Sequence, residues 1–286
     1  MIVLSAGCFG SLTTLTLLAI RAGLSLTNVI LWRFALAAIV LFVVTIRARR
    51  SLEFGKTAFQ LMLIGATAQA LISYLSFRAL DYLPVGVLAF LFYTYPAWVA
   101  AISAATGREA LTRTRLIALM LAMAGIAVMV ETPAAHLLNT TGICLALGTA
   151  FLYALYLPAL HSAQRQLPPL VSTFYLVSGI AISFLIAGIA SRKLVWPGSL
   201  EVWSYLLLLS LVGTVVAFGT MISGLRVLGP VRTSIISTVE PFFTAVLGAL
   251  VLAQRLTVAI IAGGAMIASA VIFLERSSER AEAQLQ

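Results

Sequence analysis

A stretch of about thirty residues occurs twice in this chain, and this repetition limits the possible folds more than any other feature. The copies are residues 84–112 and 230–257. Each copy begins with a proline, carries a second proline near its middle and ends on Leu-Thr. The two central prolines, Pro96 and Pro241, lie about 145 residues apart in a chain of 286. We therefore interpret the chain as two related halves.

The composition is that of an integral membrane protein. Apolar residues make up 62% of the chain and charged residues 9%, whereas about 25% of an ordinary soluble domain is charged. Successive apolar runs reach the roughly 20 residues that a helix needs to cross a bilayer, and the short alternating segments of barrel strands are absent. The net charge of +9 is attributed to loop residues that fix orientation, so nucleic acid is not an expected partner.

The apolar runs predict an all-α fold of ten transmembrane helices. The predicted ranges are 2–20, 26–46, 57–79, 84–105, 115–131, 141–163, 170–190, 202–225, 231–253 and 257–274. They divide into a first repeat at 1–135, a second at 136–275 and a tail at 276–286. Five helices per repeat means that the second copy enters the membrane from the opposite side. We therefore expect two inverted repeats around a central cavity.

Orientation follows from the distribution of Lys and Arg. With a cytoplasmic N-terminus, twelve basic residues fall inside, five fall outside and Arg33 lies within a span. The five outer residues are Arg21, Arg78, Arg192, Lys193 and Arg255. This excess of basic residues favours cytoplasmic N- and C-termini. We expect the chain to lie in an inner or plasma membrane, so the lipid bilayer is itself a partner.

The central prolines lie at matching depths. Pro96 and Pro241 follow the helix starts by 12 and 11 residues, or roughly 17 Å at 1.5 Å per residue. Proline breaks the helical hydrogen bonding, and paired breaks near the bilayer midplane point to the binding site and gates of a transporter. The alternative is that each proline only shapes helix packing.

Short motifs follow one another in order along both halves, and those around the two prolines occur in each half. In the first half they are Phe9-Gly10-Ser11, Trp32-Arg33-Phe34, Ala79-Leu80, Pro84, Tyr95-Pro96, Gly107-Arg108-Glu109 and Leu111-Thr112, and in the second Tyr153-Ala154-Leu155-Tyr156, Pro230, Glu240-Pro241, Gln254 and Leu256-Thr257. In order and spacing the chain resembles the EamA-type transporters of the drug/metabolite transporter superfamily. The resemblance implies export of small organic metabolites, and the two repeated halves suggest alternating access around the central cavity. Amino acids, as in exporters of the aromatic amino acid type, are the expected solutes.

The departures from the family pattern bear on whether transport is coupled to protons. Tyr95 stands where the pattern places Glu, and Gln254 stands where the first half has Glu109. Glu240 is thus the only acidic residue deep in a predicted span, and a mechanism that needs two membrane carboxylates is in doubt. Glu240 could carry a coupling proton when the cavity opens to water, or it could stay hydrogen-bonded within the bundle.

Arg33 is the cation deepest in a predicted span, about 10 Å from the start of its helix. It could bind a substrate carboxylate, because its guanidinium offers a fork of donors. It could equally reach the headgroups or pair with backbone carbonyls.

Aromatic residues concentrate near the middle of three predicted helices. They are Tyr74 and Phe77 on the third, Tyr93, Tyr95 and Trp98 on the fourth, and Tyr153 and Tyr156 on the sixth. Rings with polar tips suit an aromatic or amphipathic solute. We expect Tyr74, Tyr95, Trp98, Tyr153 and Tyr156, with Arg33, to bind substrate, although core packing is the commoner use of any one ring.

No catalytic motif, nucleotide-binding loop or metal-ligand spacing is present in the sequence, so neither an enzyme nor a cofactor is expected. The remaining alternatives are a multidrug or cationic compound exporter and a lipid flippase. We expect a monomer or a weak dimer.

Overall fold

The structure is a computed structural model that describes residues 1–52, 54–109, 111–129, 139–192 and 194–283. All regular secondary structure in these ranges is helical. The helices are α1 (Ile2–Arg21), α2 (Leu26–Arg47), α3 (Lys56–Leu80), α4a (Val85–Phe92), α4b (Tyr95–Ala105), α5 (Arg113–Met129), α6 (Thr140–Ala163), α7 (Pro169–Ala190), α8 and α9a (together Leu200–Ser237), α9b (Glu240–Leu252) and α10 (Val258–Ala283).

A single glycine separates α8 from α9a. Gly229 has φ 75° and ψ 170° and lies within the helical stretch Leu200–Ser237. This conformation suits glycine, and the following Pro230 favours a new helix start because it needs no backbone partner there. α8 therefore covers residues 200–228 and α9a covers 230–237. With each broken helix counted once, ten helices stand in the described chain, which confirms the predicted number.

Eight described helical stretches are long and apolar enough to cross a membrane. Leu200–Ser237 counts as one of them, while α5 has 17 residues and α9b has 13. The predicted end of the fifth helix, the predicted boundary between 135 and 136, Lys193 and the end of the tail lie outside the described residues.

The helix contacts follow an approximate two-fold pattern in which each helix of the first half corresponds to the helix five places later. α1 packs on α8 and α9b, and its counterpart α6 packs on α3 and α4b. α2 packs on α8, as α7 packs on α3, while the pairs α2–α7 and α5–α10 lie across the two halves. Since each half has five helices, the chain forms two inverted repeats.

Both predicted proline breaks are present. α4 is interrupted at Tyr93 and Thr94, and α9 is interrupted at Thr238 and Val239. Pro96 and Pro241 stand in the first turn of the segments that follow, where the missing N–H removes no helical hydrogen bond. Each break is thus a short turn between two helices, in the same place in the two repeats.

A second matched irregularity was not predicted from the sequence. α3 contains a π-helical segment at Gly65–Gln69, and its counterpart α8 contains one at Leu211–Val216. Gly65 and Gly179 allow α3 and α7 to approach closely, because a Cβ at either position would collide with the partner backbone at Leu176 or Met62. Segments of this kind occur often at functional sites and free backbone carbonyls for other partners.

Candidate functional site

Five aromatic rings from α4 and α6 form one cluster in the middle of the bundle. The Tyr95 and Tyr153 ring centroids lie 4.7 Å apart, and Phe92 lies 5.4 Å from Tyr153. Tyr156 extends the cluster at 5.5 Å from Tyr153, and Tyr93 joins it at 6.2 Å from Tyr95. These are the separations at which edge-on and offset ring pairs attract. We call these five residues the ring cluster.

The break in α4 is what brings three of these rings together. Phe92 ends α4a, Tyr95 begins α4b and Tyr93 lies in the turn between them. In a continuous helix, neighbouring side chains would point in different directions. Here the turn gathers them on one side. The sequence placed Tyr93 and Tyr95 near the proline but missed Phe92, whose one signal was its place next to the turn.

Glu240 meets the ring cluster from the other broken helix. It is the first residue of α9b, and its carboxyl group lies beside the Tyr93 phenol. The Tyr95 phenol lies beside Ser237 at the end of α9a. The two helix breaks therefore face each other, with a carboxyl group and several phenols between them. Glu240 and Tyr153 are partly exposed despite their central position, so this region is not closed core.

Gly10 of α1 lets the bundle close around this point. A Cβ at Gly10 would lie 2.8 Å from the Phe243 Cβ and 3.2 Å from the Glu240 carbonyl oxygen. The predicted motif Phe9-Gly10-Ser11 thus acts as a close-packing position behind Glu240.

Arg33 binds the π-helical segment of α8. Its Nε donates to Thr214 Oγ1 at 2.7 Å, and its Nη2 donates to the Gly213 carbonyl at 3.2 Å. Ser210 Oγ donates to the Arg33 carbonyl at 3.0 Å. Of the roles considered from the sequence, pairing with a backbone carbonyl is the one that these contacts support. No ion pair of 4 Å or less joins Arg33 to Glu240, both of which the structure describes.

Tyr74 and Trp98 do not join the ring cluster. Tyr74 is 59% exposed and Trp98 is 41% exposed. On α4b the inward face is formed by Tyr95, Val99 and Ser103, whereas Trp98 lies on the adjacent outward face and packs on Phe151 at 5.6 Å. The expectation that all five predicted rings converge is therefore wrong for these two residues.

The two ends of the bundle differ around the site. At one end α4b packs on α9a, and Val99, Ser103, Val231 and Ile235 are fully buried. At the other end the counterpart segments α4a and α9b make no comparable contact in the described chain. Among the residues of α9b, Gly248 is buried, whereas α4b and α9a each have several buried residues. The site is thus closed off at the α4b–α9a end and more open at the other.

Among the described residues, no group of three or more His, Cys, Asp or Glu side chains could hold a metal ion. The site therefore offers rings, phenols and one carboxyl group, which bind by stacking, hydrogen bonding and charge.

Two separate regions of the chain, residues 1–131 and 140–276, match the model of the EamA-like transporter family. The chain belongs to the EamA-like transporter family. The two matches each cover one set of five helices, so the EamA repeat and the structural repeat coincide. As a multi-pass membrane protein of this family, the chain is a transporter.

Two individual proteins are also similar to the chain. The chain is 28% identical over 192 residues, 67% of each chain, to a protein of Archaeoglobus fulgidus named "Uncharacterized transporter". A solved structure titled "Crystal structure of protein" superposes with a TM-score of 0.81 at 18% identity, over 98% of this chain and 97% of that one. At this identity the superposition supports the fold alone.

Proposed function

We propose that this transporter exports small organic amines, foremost amino acids with aromatic or amphipathic side chains, by alternating access. The observation that carries the proposal is the carboxyl group of Glu240 beside the ring cluster, at the point where two broken helices face each other. An ammonium group is attracted both by a carboxylate and by aromatic faces. An aromatic side chain can stack on the same rings.

Alternating access is supported by the difference between the two ends of the bundle. Because the repeats are inverted, the α4b–α9a contact at one end has a counterpart, α4a–α9b, at the other. Exchanging one contact for the other would move the opening across the membrane while the site stays in the middle. Pro96 and Pro241, at the two breaks, are the expected gating positions.

A second candidate function is export of cationic compounds that lack a carboxylate. Arg33, the cation predicted to bind a carboxylate, donates instead to Thr214 and to a backbone carbonyl. The site therefore has a better-defined partner for a cation than for an anion.

Flux into vesicles that contain only lipid and purified protein tests the proposal. We expect uptake of phenylalanine and of phenethylamine, which keeps the ammonium group, and little uptake of phenylpropionate, which lacks it. Transport of phenethylamine alone would favour the cation exporter. Transport of phenylpropionate alone would refute recognition of an amine, and lipid movement without solute flux would indicate a flippase.

Ring truncation should separate stacking residues from packing residues. We expect Tyr153→Ala to weaken phenylalanine transport several-fold more than alanine transport, because a lost ring pair costs about 1 kcal/mol beyond area burial. Trp98→Ala is the matched control, since this ring faces away from the cluster, and its effect on the two solutes should be equal. Initial rates over a range of concentrations measure the difference. Equal losses for both solutes in Tyr153→Ala would contradict stacking.

We also propose the orientation inferred from the basic residues, with both termini cytoplasmic. In a background without Cys8 and Cys144, single cysteines at Ser191 and Ser277 should react with an impermeant maleimide from opposite sides. Reaction of both cysteines from the same side would rule out this orientation.

A further inference from the structure

At the closed end of the bundle, Glu109 joins the two repeats. It follows α4b, and its Oε2 lies 3.0 Å from Arg115 Nη1 at the start of α5. Its Oε1 accepts a hydrogen bond at 3.4 Å from the backbone N–H of Val231, in the first turn of α9a. Glu109 and Arg115 side chains are only 16% and 22% exposed. We call Glu109, Arg115, Gly229 and Val231 the Glu109 latch.

Gly229 provides the space that the carboxyl group occupies. A Cβ on this residue would lie 2.7 Å from Glu109 Oε1, and its φ of 75° is one that other residues rarely adopt. The glycine that separates α8 from α9a thus also exposes the first N–H of α9a, that of Val231, to a carboxylate from the other repeat. A negative charge at a helix N-terminus is favourable, and here it ties α9a to the α4b–α5 connection.

The seam between α4b and α9a, behind the Glu109 latch, contains a polar group without a partner. Ser103 Oγ on α4b is fully buried and has no hydrogen-bond partner within the described chain. A buried hydroxyl in this condition disfavours the closed arrangement, because water would satisfy it if the seam opened. Closure at this end therefore depends on contacts elsewhere in the seam.

We propose that Glu109 is a positioning residue of the transport cycle. It holds α9a against the α4b–α5 connection and so keeps the site closed at the α4b–α9a end. The proposal rests on alternating access as the mode of transport, but not on the identity of the solute. The ion pair and the hydrogen bond to Val231 must break for this end to open, while the unpartnered Ser103 hydroxyl favours opening. Glu109 thereby sets how often the site is reached from this end.

Cysteine accessibility without any solute tests the proposal in the full-length chain. In a background without Cys8 and Cys144, Ser103→Cys places a nearly isosteric thiol inside the closed seam. We expect Glu109→Gln to raise its rate of labelling by a hydrophilic maleimide roughly tenfold, because a hydrogen-bonded charge is removed. The matched control is Glu275→Gln, which removes the same charge from the Arg232–Glu275 pair within the second repeat, and should leave the rate unchanged.

Two further measurements keep the result decisive. Arg115→Gln breaks the same pair from the other partner and should raise labelling in the same direction, even if Glu109→Gln folds poorly. Glu109→Asp keeps the charge, and its labelling rate should therefore lie closer to the slow rate of the unmodified Glu109 background than that of Glu109→Gln does. Unchanged labelling in folded Glu109→Gln, or an equal rise in Glu275→Gln, would overturn the proposal. Either result would leave the proposed amine export intact, because the flux assay addresses that separately.

Discussion

Replacing Glu240 by Gln should reduce transport of an amine solute at least about tenfold and remove any response to an imposed pH gradient. The substitution keeps the size of the side chain and much of its hydrogen bonding but removes the charge. An ammonium–carboxylate contact is a charged hydrogen bond, for which about 1.5–3 kcal/mol is typical. Flux into vesicles, with and without a pH difference, measures both effects.

A matched variant separates the charge from the surrounding contacts. Tyr93→Phe removes the phenol beside Glu240 but keeps the ring and the carboxyl group. We expect it to lower transport less than Glu240→Gln and to keep the response to the pH gradient. Transport by Glu240→Gln with unchanged rate and unchanged pH response would show that Glu240 neither binds the amine nor carries a coupling proton.

Replacing Arg33 by Met should destabilise the protein by about 3 kcal/mol, since two hydrogen bonds from a charged group are lost. The Gly213 carbonyl, which lies in a π-helical segment, would lose its donor within the membrane, where water cannot replace it. The apparent melting temperature of the purified protein in detergent measures the change. Arg33→Lys should recover little, because an ammonium group lacks the forked geometry that reaches both Thr214 and Gly213.

The control for this prediction is a second partly buried arginine. Arg232 contacts Glu275 at 3.4 Å and lies near the end of the bundle. Arg232→Met should lower the melting temperature less than Arg33→Met. If Arg33→Met instead leaves stability unchanged and abolishes transport only of solutes with a carboxylate, then Arg33 is a substrate residue.

The fold could be predicted further than the site. Apolar runs and the repeated prolines define ten helices and two helix breaks, because spanning length and proline chemistry are local properties of the sequence. The π-helical segments have no comparable signal. They depend on how α3 meets α7 and on how Arg33 of α2 meets α8, which are contacts between distant parts of the chain.

Ring orientation was the least predictable part of the site. Tyr95 and Trp98 lie three residues apart near the same proline, and a helical spacing suggests that they share a face. In the structure the inward face of α4b passes through Tyr95, Val99 and Ser103, so that Trp98 falls just outside it. A rotation of one helix by a fraction of a turn decides such cases, and sequence periodicity does not fix that rotation.

Under the proposed alternating access, the inverted repeat also describes the second arrangement of the carrier. Exchanging each helix for its counterpart would move the closed seam from α4b–α9a to α4a–α9b, and Gln254 would take the place of Glu109. Gln254 now lies against Gly248 of its own repeat, and it carries no charge to pair with an arginine. The opposite seam would therefore close without an ion pair, so the two arrangements are unequal in free energy. A carrier that exchanges these two arrangements would prefer one of them when no solute is bound, because Glu109 and Gln254 differ in charge.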